Sequence, residues 1–131
     1  MNAKSWLTDI ILVKDGIDLA PSALDVFRSE GDACSYLEHW WVEDLHGLAF
    51  TATGMQVIFG VHNARVVVGS LEPRSDGEQI VLSWLQHAAN AMLEVRGMKA
   101  AKGKLYLGTE ESQGVLPRSV EGLIAYIGFT S

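Results

Sequence analysis

A three- and four-residue spacing of apolar side chains predicts the longest element of the chain, a helix over residues 76–96. Ser75 and Glu78 have the spacing of a capping box at its start, where each side chain accepts a hydrogen bond from a backbone N–H. Arg96 and Gly97 favour an end there, since a cation suits the carbonyl end and glycine adopts the left-handed terminating conformation. The predicted buried stripe consists of Val81, Trp84, Leu85, Ala88, Met92 and Val95.

A shorter helix is predicted over residues 30–40, because apolar residues again recur at helical spacing. Ser29 and Asp32 resemble a weaker capping box at its start. The side chains expected to face the core are Ala33, Tyr36, Leu37 and Trp40.

Between these helices the pattern changes to that of β-strands. Residues 47–71 are rich in Val, Ile and Phe, and Thr53-Gly54 and His62-Asn63-Ala64 are typical of turns. Such short connections join antiparallel neighbours, because a parallel crossover needs many more residues. The predicted strands are 48–52, 55–61 and 65–71.

The two ends of the chain allow more than one interpretation. Residues 6–13 fit either a strand or a helical turn. Residues 104–107 are predicted to be a strand and residues 110–114 a loop. Residues 119–126 fit a capped helix, whereas residues 124–129 fit a terminal strand equally well, because aromatic residues favour strands.

The whole pattern predicts a single α+β domain over residues 1–131. Its architecture is an antiparallel sheet, with a meander at about 47–71 plus terminal strands, packed by one long helix and one shorter helix. A length of 131 residues suits one domain, since chains usually divide only when they are considerably longer.

The charge of the chain indicates which classes of partner it can bind. Ten Lys and Arg against 16 Asp and Glu give a net charge of −6, and the sequence has no basic run that could contact phosphates, so we expect no direct nucleic-acid binding. No segment approaches the roughly 18 uncharged apolar residues of a membrane span. The sequence lacks a secretory signal pattern, and Cys34, its only cysteine, cannot form an intrachain disulfide. We therefore expect a cytoplasmic protein.

Motifs for catalysis are missing from the sequence. It has no Walker A loop, dinucleotide-binding glycine fingerprint, HExxH pair or GxSxG elbow. The histidines and Cys34 lack the close pair spacings of zinc sites, and Cys34 and His39, five residues apart, are expected to point in different directions around the predicted helix. Cys34 is interpreted as a small buried apolar side chain. We expect no enzymatic activity, no metal and no cofactor.

Acidic and aromatic residues cluster where the shorter helix is predicted to lead into the sheet. On one interpretation the carboxylates are simply a solvated helix end. On another they form an interaction surface, because adjacent tryptophans on a strand face opposite ways and Trp40 and Trp41 therefore cannot both enter one core. An exposed aromatic ringed by carboxylates suits a basic protein partner. The residues predicted to bind a partner are Glu38, Trp41, Glu43 and Asp44, with Glu110 and Glu111 as a second acidic site.

Residues 29–60 resemble a group of small bacterial proteins with a pattern close to SxEDAxxYLExxDVExxEYxAYDxxGxxL, several of which occur beside polymorphic or contact-dependent toxins as their immunity proteins. The chain departs from the pattern at Gly31, Trp41, His46, Gly47 and Thr51, and so lacks several of its acidic groups. Phe50 keeps the aromatic character of a tyrosine in the pattern. The matched positions are Ser29, Asp32, Ala33, Tyr36, Leu37, Glu38, Val42, Glu43, Ala49 and Gly54.

The resemblance implies an α+β immunity protein that binds a cognate toxin, with no reaction of its own to catalyse. A basic toxin domain, such as a nuclease, is the expected partner, since the chain is acidic. The alternative is a small-molecule-binding or enzymatic α+β domain that uses a groove between the sheet and a helix.

Overall fold

The structure is a computed structural model that describes residues 5–102 and 116–130. Its elements confirm the predicted α+β class. The predicted strand at 104–107, the predicted loop at 110–114 and the second acidic site at Glu110 and Glu111 lie outside the described residues. In chain order the elements are a 3₁₀ helix at Ser5–Asp9, β1 at Ile11–Asp15, β2 at Leu24–Phe27, α1 at Glu30–Tyr36, α2 at His39–Glu43, β3 at Gly47–Thr51, β4 at Gln56–His62, β5 at Arg65–Glu72, α3 at Gly77–Lys102 and α4 at Val120–Ile127.

The five strands of the described chain form one antiparallel sheet in the order β2-β1-β3-β4-β5. The meander predicted over residues 47–71 is confirmed as β3, β4 and β5. β2 was not predicted, and it pairs with β1 at one edge of the sheet. The segment 6–13 contains both predicted alternatives, since a 3₁₀ helix ends at Asp9 and β1 begins at Ile11.

Two features shape the meander. Asn63 and Ala64 form the two-residue turn between β4 and β5, and both have positive φ, at 52° and 60°. Positive φ at both central positions is the pattern of a type I′ hairpin turn, whose twist matches that of the flanking strands. β3 pairs with β4 at a single position, Phe50 with Gln56, whereas β4 pairs with β5 along its whole length. β3 and β4 therefore diverge after their turn at Gly54.

The main core lies on the face of the sheet covered by α3 and α4. It contains Leu12, Val26 and Phe50 from the strands. The helices contribute Val81, Trp84, Leu85, Ala89, Leu123 and Ile124. Trp84 lies at its centre, with its ring 5.1 Å from that of Phe50 in an edge-on arrangement and its indole N–H donating to the Leu19 carbonyl at 2.9 Å.

The long helix begins close to its predicted first residue but ends later than predicted, and its buried side differs from the predicted stripe at two positions. It begins at Gly77, and the Asp76 carbonyl accepts the first helical hydrogen bond, from Ile80. It continues through Gly97 to Lys102, so the predicted end was wrong: a glycine permits a helix to end but does not require it. Ala89 is fully buried where Ala88 was expected, and Val95 is exposed because core contacts end near Ala89.

The C-terminal segment is a helix, and its alternative as a strand was wrong. The Ser119 side chain caps α4 by accepting from the Gly122 N–H at 3.0 Å. Beyond the helix, the Thr130 N–H donates to the Val26 carbonyl at 2.7 Å, and the Thr130 hydroxyl accepts from the Val26 N–H at 3.0 Å. These contacts satisfy polar backbone groups that the edge strand β2 would otherwise leave unpaired.

A second core lies on the opposite face of the sheet, where α1 packs against β2 and β5, and α2 packs against β4 and β5. Ile11, Val13 and Phe27 point to this face, whereas their neighbour Leu12 points to the main core. β1 is buried on both sides for this reason, which explains its continuous apolar run.

Replacing Trp84 by Ala should lower the free energy of unfolding by roughly 3–5 kcal/mol, the usual cost of truncating a buried aromatic side chain. Trp84→Phe should cost less, because it keeps a ring against Phe50 and loses only the hydrogen bond to Leu19. Urea denaturation measures both, with His87→Ala on the exposed side of the same helix as the control. Wild-type stability of Trp84→Ala would contradict the assignment of this core.

Replacing Ala64 by Gly should raise the free energy of unfolding by about 0.5–1 kcal/mol. An L-residue with a side chain costs roughly 1–2 kcal/mol in the left-handed region, and the gain is reduced by the greater freedom of glycine in the unfolded chain. Ala125→Gly on the exposed side of α4 is the matched control and should destabilise by about 1 kcal/mol. Equal losses in thermal unfolding of both variants would contradict the turn geometry.

Candidate partner-binding site

The predicted helix over residues 30–40 is divided into two short helices. Ser29 caps α1 as predicted, and its hydroxyl accepts from the Asp32 N–H at 3.1 Å. Leu37 and Glu38 are extended, so α1 ends at Tyr36 and α2 begins at His39. The prediction of a single helix was therefore wrong, because the extended residues Leu37 and Glu38 interrupt it and α2 is a separate helix.

The two adjacent tryptophans lie on α2 and have opposite environments. The prediction that one of them is exposed is confirmed, although successive positions of a helix, and not of a strand, separate them. Trp40 is 49% exposed and its ring lies 5.3 Å from that of His46. Trp41 is half-buried against the second core and lies so close to Gly47 that a Cβ there would overlap its ring. Trp40 is thus the surface residue, and Trp41 anchors the helix.

Three carboxylates accompany Trp40 on the exposed side of α2. Glu38, Glu43 and Asp44 are all exposed. The Glu43 carboxylate is 2.8 Å from His39 Nδ1, one helical turn away, and that of Asp44 is 3.8 Å from His46 Nε2. The four predicted residues of the first acidic site therefore lie together, with Trp41 on the inner side of the helix. We call the exposed residues Glu38, Trp40, Glu43 and Asp44 the α2 surface.

A pocket of about 190 Å³ adjoins the α2 surface, and the sequence did not reveal it. Glu38, Trp40 and Trp41 line it from α2, and Tyr36 and Leu37 from the end of α1. Val13, Asp15 and Asp25 complete it from β1 and β2. We call it the acidic-aromatic pocket. Its acidic residues lie on segments far apart in the sequence, so only the pairing of β1 with β2 could have indicated it.

Cys34 is half-buried rather than buried, and it shares a polar concavity of about 520 Å³ with His39 and Arg65. The expectation for Cys34 and His39 assumed one continuous helix. The break after α1 places both residues at this concavity, where the His39 ring pairs with Glu43 and not with Cys34. Burial, and to a smaller extent the charge of Glu30, raises the pKa of the Cys34 thiol. A raised pKa leaves the thiol protonated near neutral pH, and the thiolate is the nucleophile.

Two concavities lie between the sheet and a helix: the polar one at Cys34, between α1 and β5, and a smaller apolar groove beside α2. The volume of this groove is about 90 Å³, and it lies between α2 and the diverging strands β3 and β4. Pockets for cofactors and drug-sized ligands usually enclose about 300–1,000 Å³. The groove therefore suits one or two apolar side-chain groups better than a metabolite.

The comparisons with protein-family models, with curated proteins and with solved structures give no match. Among residues 5–102 and 116–130, no group of three or more His, Cys, Asp or Glu side chains is arranged to hold a metal ion. None of the helices in the described parts of the chain has the length and apolar character needed to cross a membrane.

The two tryptophans of α2 should respond differently to truncation. Trp40→Ala should change the free energy of unfolding by less than about 1 kcal/mol, because half of the side chain is already in water. Trp41→Ala should cost roughly 2–3 kcal/mol, below the cost for a fully buried aromatic residue. Chemical denaturation of the two variants side by side tests this, and a larger loss for Trp40→Ala would reverse their assigned roles.

Proposed function

We propose that this protein is a cytoplasmic immunity protein that binds and neutralises a cognate bacterial toxin through the α2 surface. The toxin that we propose is a nuclease, delivered by contact-dependent inhibition or a related system. The proposal rests on one observation above all: Trp40 is half exposed among the exposed carboxylates of Glu38, Glu43 and Asp44. The resemblance of residues 29–60 to immunity proteins supports the same reading of the surface.

Contacts on the inner side and at the end of α2 hold its exposed side in one conformation before any partner binds. Trp41 and the buried Val42 hold its inner side, and backbone hydrogen bonds from Asp44 to Trp40 and from His46 to Trp41 close its end. A surface that is already ordered loses little conformational entropy on binding. Tryptophan is also among the residues that most often dominate interface energies.

The charge of the α2 surface indicates the chemistry of the partner. A nuclease presents cations to the phosphates that it binds, and an inhibitor can complement those cations with carboxylates. The net charge of −6 would accelerate association with such a basic domain. A toxin active site covered in this way could not reach its nucleic acid.

The alternative function, a small-molecule-binding or enzymatic domain, is favoured by the concavity that contains Cys34, His39 and Arg65. Glu43 orients the His39 ring through Nδ1, as a carboxylate orients the general base of a catalytic triad. However, no hydrogen bond joins Cys34 to His39 in the described structure, and the raised pKa of the thiol opposes nucleophilic attack. The concavity therefore supports catalysis less well than the α2 surface supports protein binding.

Replacing Glu43 and Asp44 together by Lys should weaken binding to the toxin domain encoded immediately upstream of this gene. At low salt the association rate should fall about tenfold or more, since steering depends on the charge of the approaching surface. Stability should change little, because the exposed pair of Glu43 and His39 is worth only about 0.3–0.5 kcal/mol. Co-purification and surface plasmon resonance at several salt concentrations provide the measurement.

The matched control is Glu72→Lys with Glu94→Lys, which makes the same change in net charge on β5 and α3. This control should retain most of the association rate, because neither Glu72 nor Glu94 lies on α2 or lines the pocket beside it. Unchanged binding by the Glu43 and Asp44 variant, or equal losses in both variants, would remove the α2 surface as the binding site. A metabolic operon around the gene would favour the alternative function.

A further inference from the structure

The acidic-aromatic pocket has the features of a receptor for a single cationic side chain. Three carboxylates line it, from Asp15 at the end of β1, Asp25 in β2 and Glu38 before α2. Two large aromatic side chains, Tyr36 and Trp40, stand at its side and are 52% and 49% exposed. Neither Lys nor Arg is among its lining residues, so no cation of the pocket itself balances this charge.

The contacts of these residues leave the pocket available. The Tyr36 ring packs at 5.1 Å on Phe27, and Trp40 contacts His46 edge-on, so each aromatic side chain is held on one side and exposed on another. Asp25 Oδ1 accepts a hydrogen bond from the Thr130 hydroxyl at 3.1 Å, which orients the carboxylate. The nearby Lys14 points to the other face of the sheet and pairs with Asp18.

We propose that this pocket binds an arginine side chain of the partner protein. This inference rests on the proposed function, which supplies a basic partner protein. It adds one specific contact through which that partner would bind. A guanidinium group is planar, stacks on aromatic rings and donates to carboxylates through several N–H groups at once. The floor formed by Val13 and Leu37 suits the methylene groups of the same side chain.

The test uses the complete chain and a short probe, the blocked peptide acetyl-Gly-Arg-Gly-amide, followed by two-dimensional ¹H–¹⁵N NMR. The indole N–H signal of Trp40, assigned with Trp40→Phe, should shift on titration, whereas that of the buried Trp84 should not. The same peptide with citrulline in place of arginine has the same shape without the charge. It should bind about tenfold more weakly or worse, since both the ring contact and the ion pairs require a cation.

The variant with Asp15→Asn and Asp25→Asn should bind the arginine peptide at least about threefold more weakly, because two carboxylates become neutral amides. Asn keeps the oxygen that accepts from Thr130, so the fold should be retained. Asp32→Asn with Glu72→Gln, two carboxylates that do not line the pocket, is the matched control and should bind like the wild type.

The inference is overturned if the Trp40 signal does not shift, if the citrulline and arginine peptides bind equally, or if the Asp15 and Asp25 variant binds like the wild type. These outcomes are separate from failure of the proposed function. Toxin binding with no peptide binding would remove the arginine receptor alone, whereas peptide binding without any toxin partner would leave the receptor and remove the immunity function.

Discussion

The buried amine of Lys14 determines how the chain continues after β1. Alternation along the strand points Lys14 into the main core, where its side chain is 1% exposed and lies 5.8 Å from the centre of the Trp84 ring. A buried ammonium group must be hydrogen-bonded. It donates to the Asp18 carbonyl at 2.7 Å and to the Asp18 carboxylate at 3.2 Å. The hydrogen bond to the carboxylate lowers the pKa of Asp18, assisted by the hydrogen bond that the Ala20 N–H donates. The loop after β1 must therefore fold back over the sheet.

That loop connects the core to the candidate site. Trp84 holds it from α3 through the carbonyl of Leu19, and Lys14 holds it from β1. The loop delivers β2 alongside β1, with Asp25 opposite Val13 in the register. Asp25 consequently enters the acidic-aromatic pocket on the opposite face of the sheet from Trp84. The packing of the main core and the position of Asp25 in the pocket on the other face therefore depend on the same loop between β1 and β2.

Local patterns in the sequence predicted the elements that depend on local interactions. The stripe around Trp84 predicted α3 and the Ser29 cap predicted the start of α1, because these signals act within one or two helical turns. The Ser119 cap indicated α4 as one of two alternatives for its segment. The break at Leu37 and the burial of Lys14 were not predictable in this way. Both depend on packing against strands that are distant in the sequence, and a lysine is ordinarily expected at the surface. The acidic cluster on α2 could be predicted because its residues are close together in the sequence. The contribution of Asp15 and Asp25 to the pocket could not, because these residues come near Glu38 only in the folded chain.

The different sizes of the helices explain why the proposed binding surface lies on the face of α1 and α2. The long helix α3, together with α4, covers its face with a continuous apolar core. α1 and α2 are only seven and five residues long and bury few side chains, so Tyr36 and Trp40 stay half exposed at the junction of the two helices. The carboxylates of Asp15, Asp25 and Glu38 line the same pocket as these rings. If the proposed basic partner binds here, its cations neutralise the carboxylates while its contact covers the rings, so this face offers charge and apolar area at the same place.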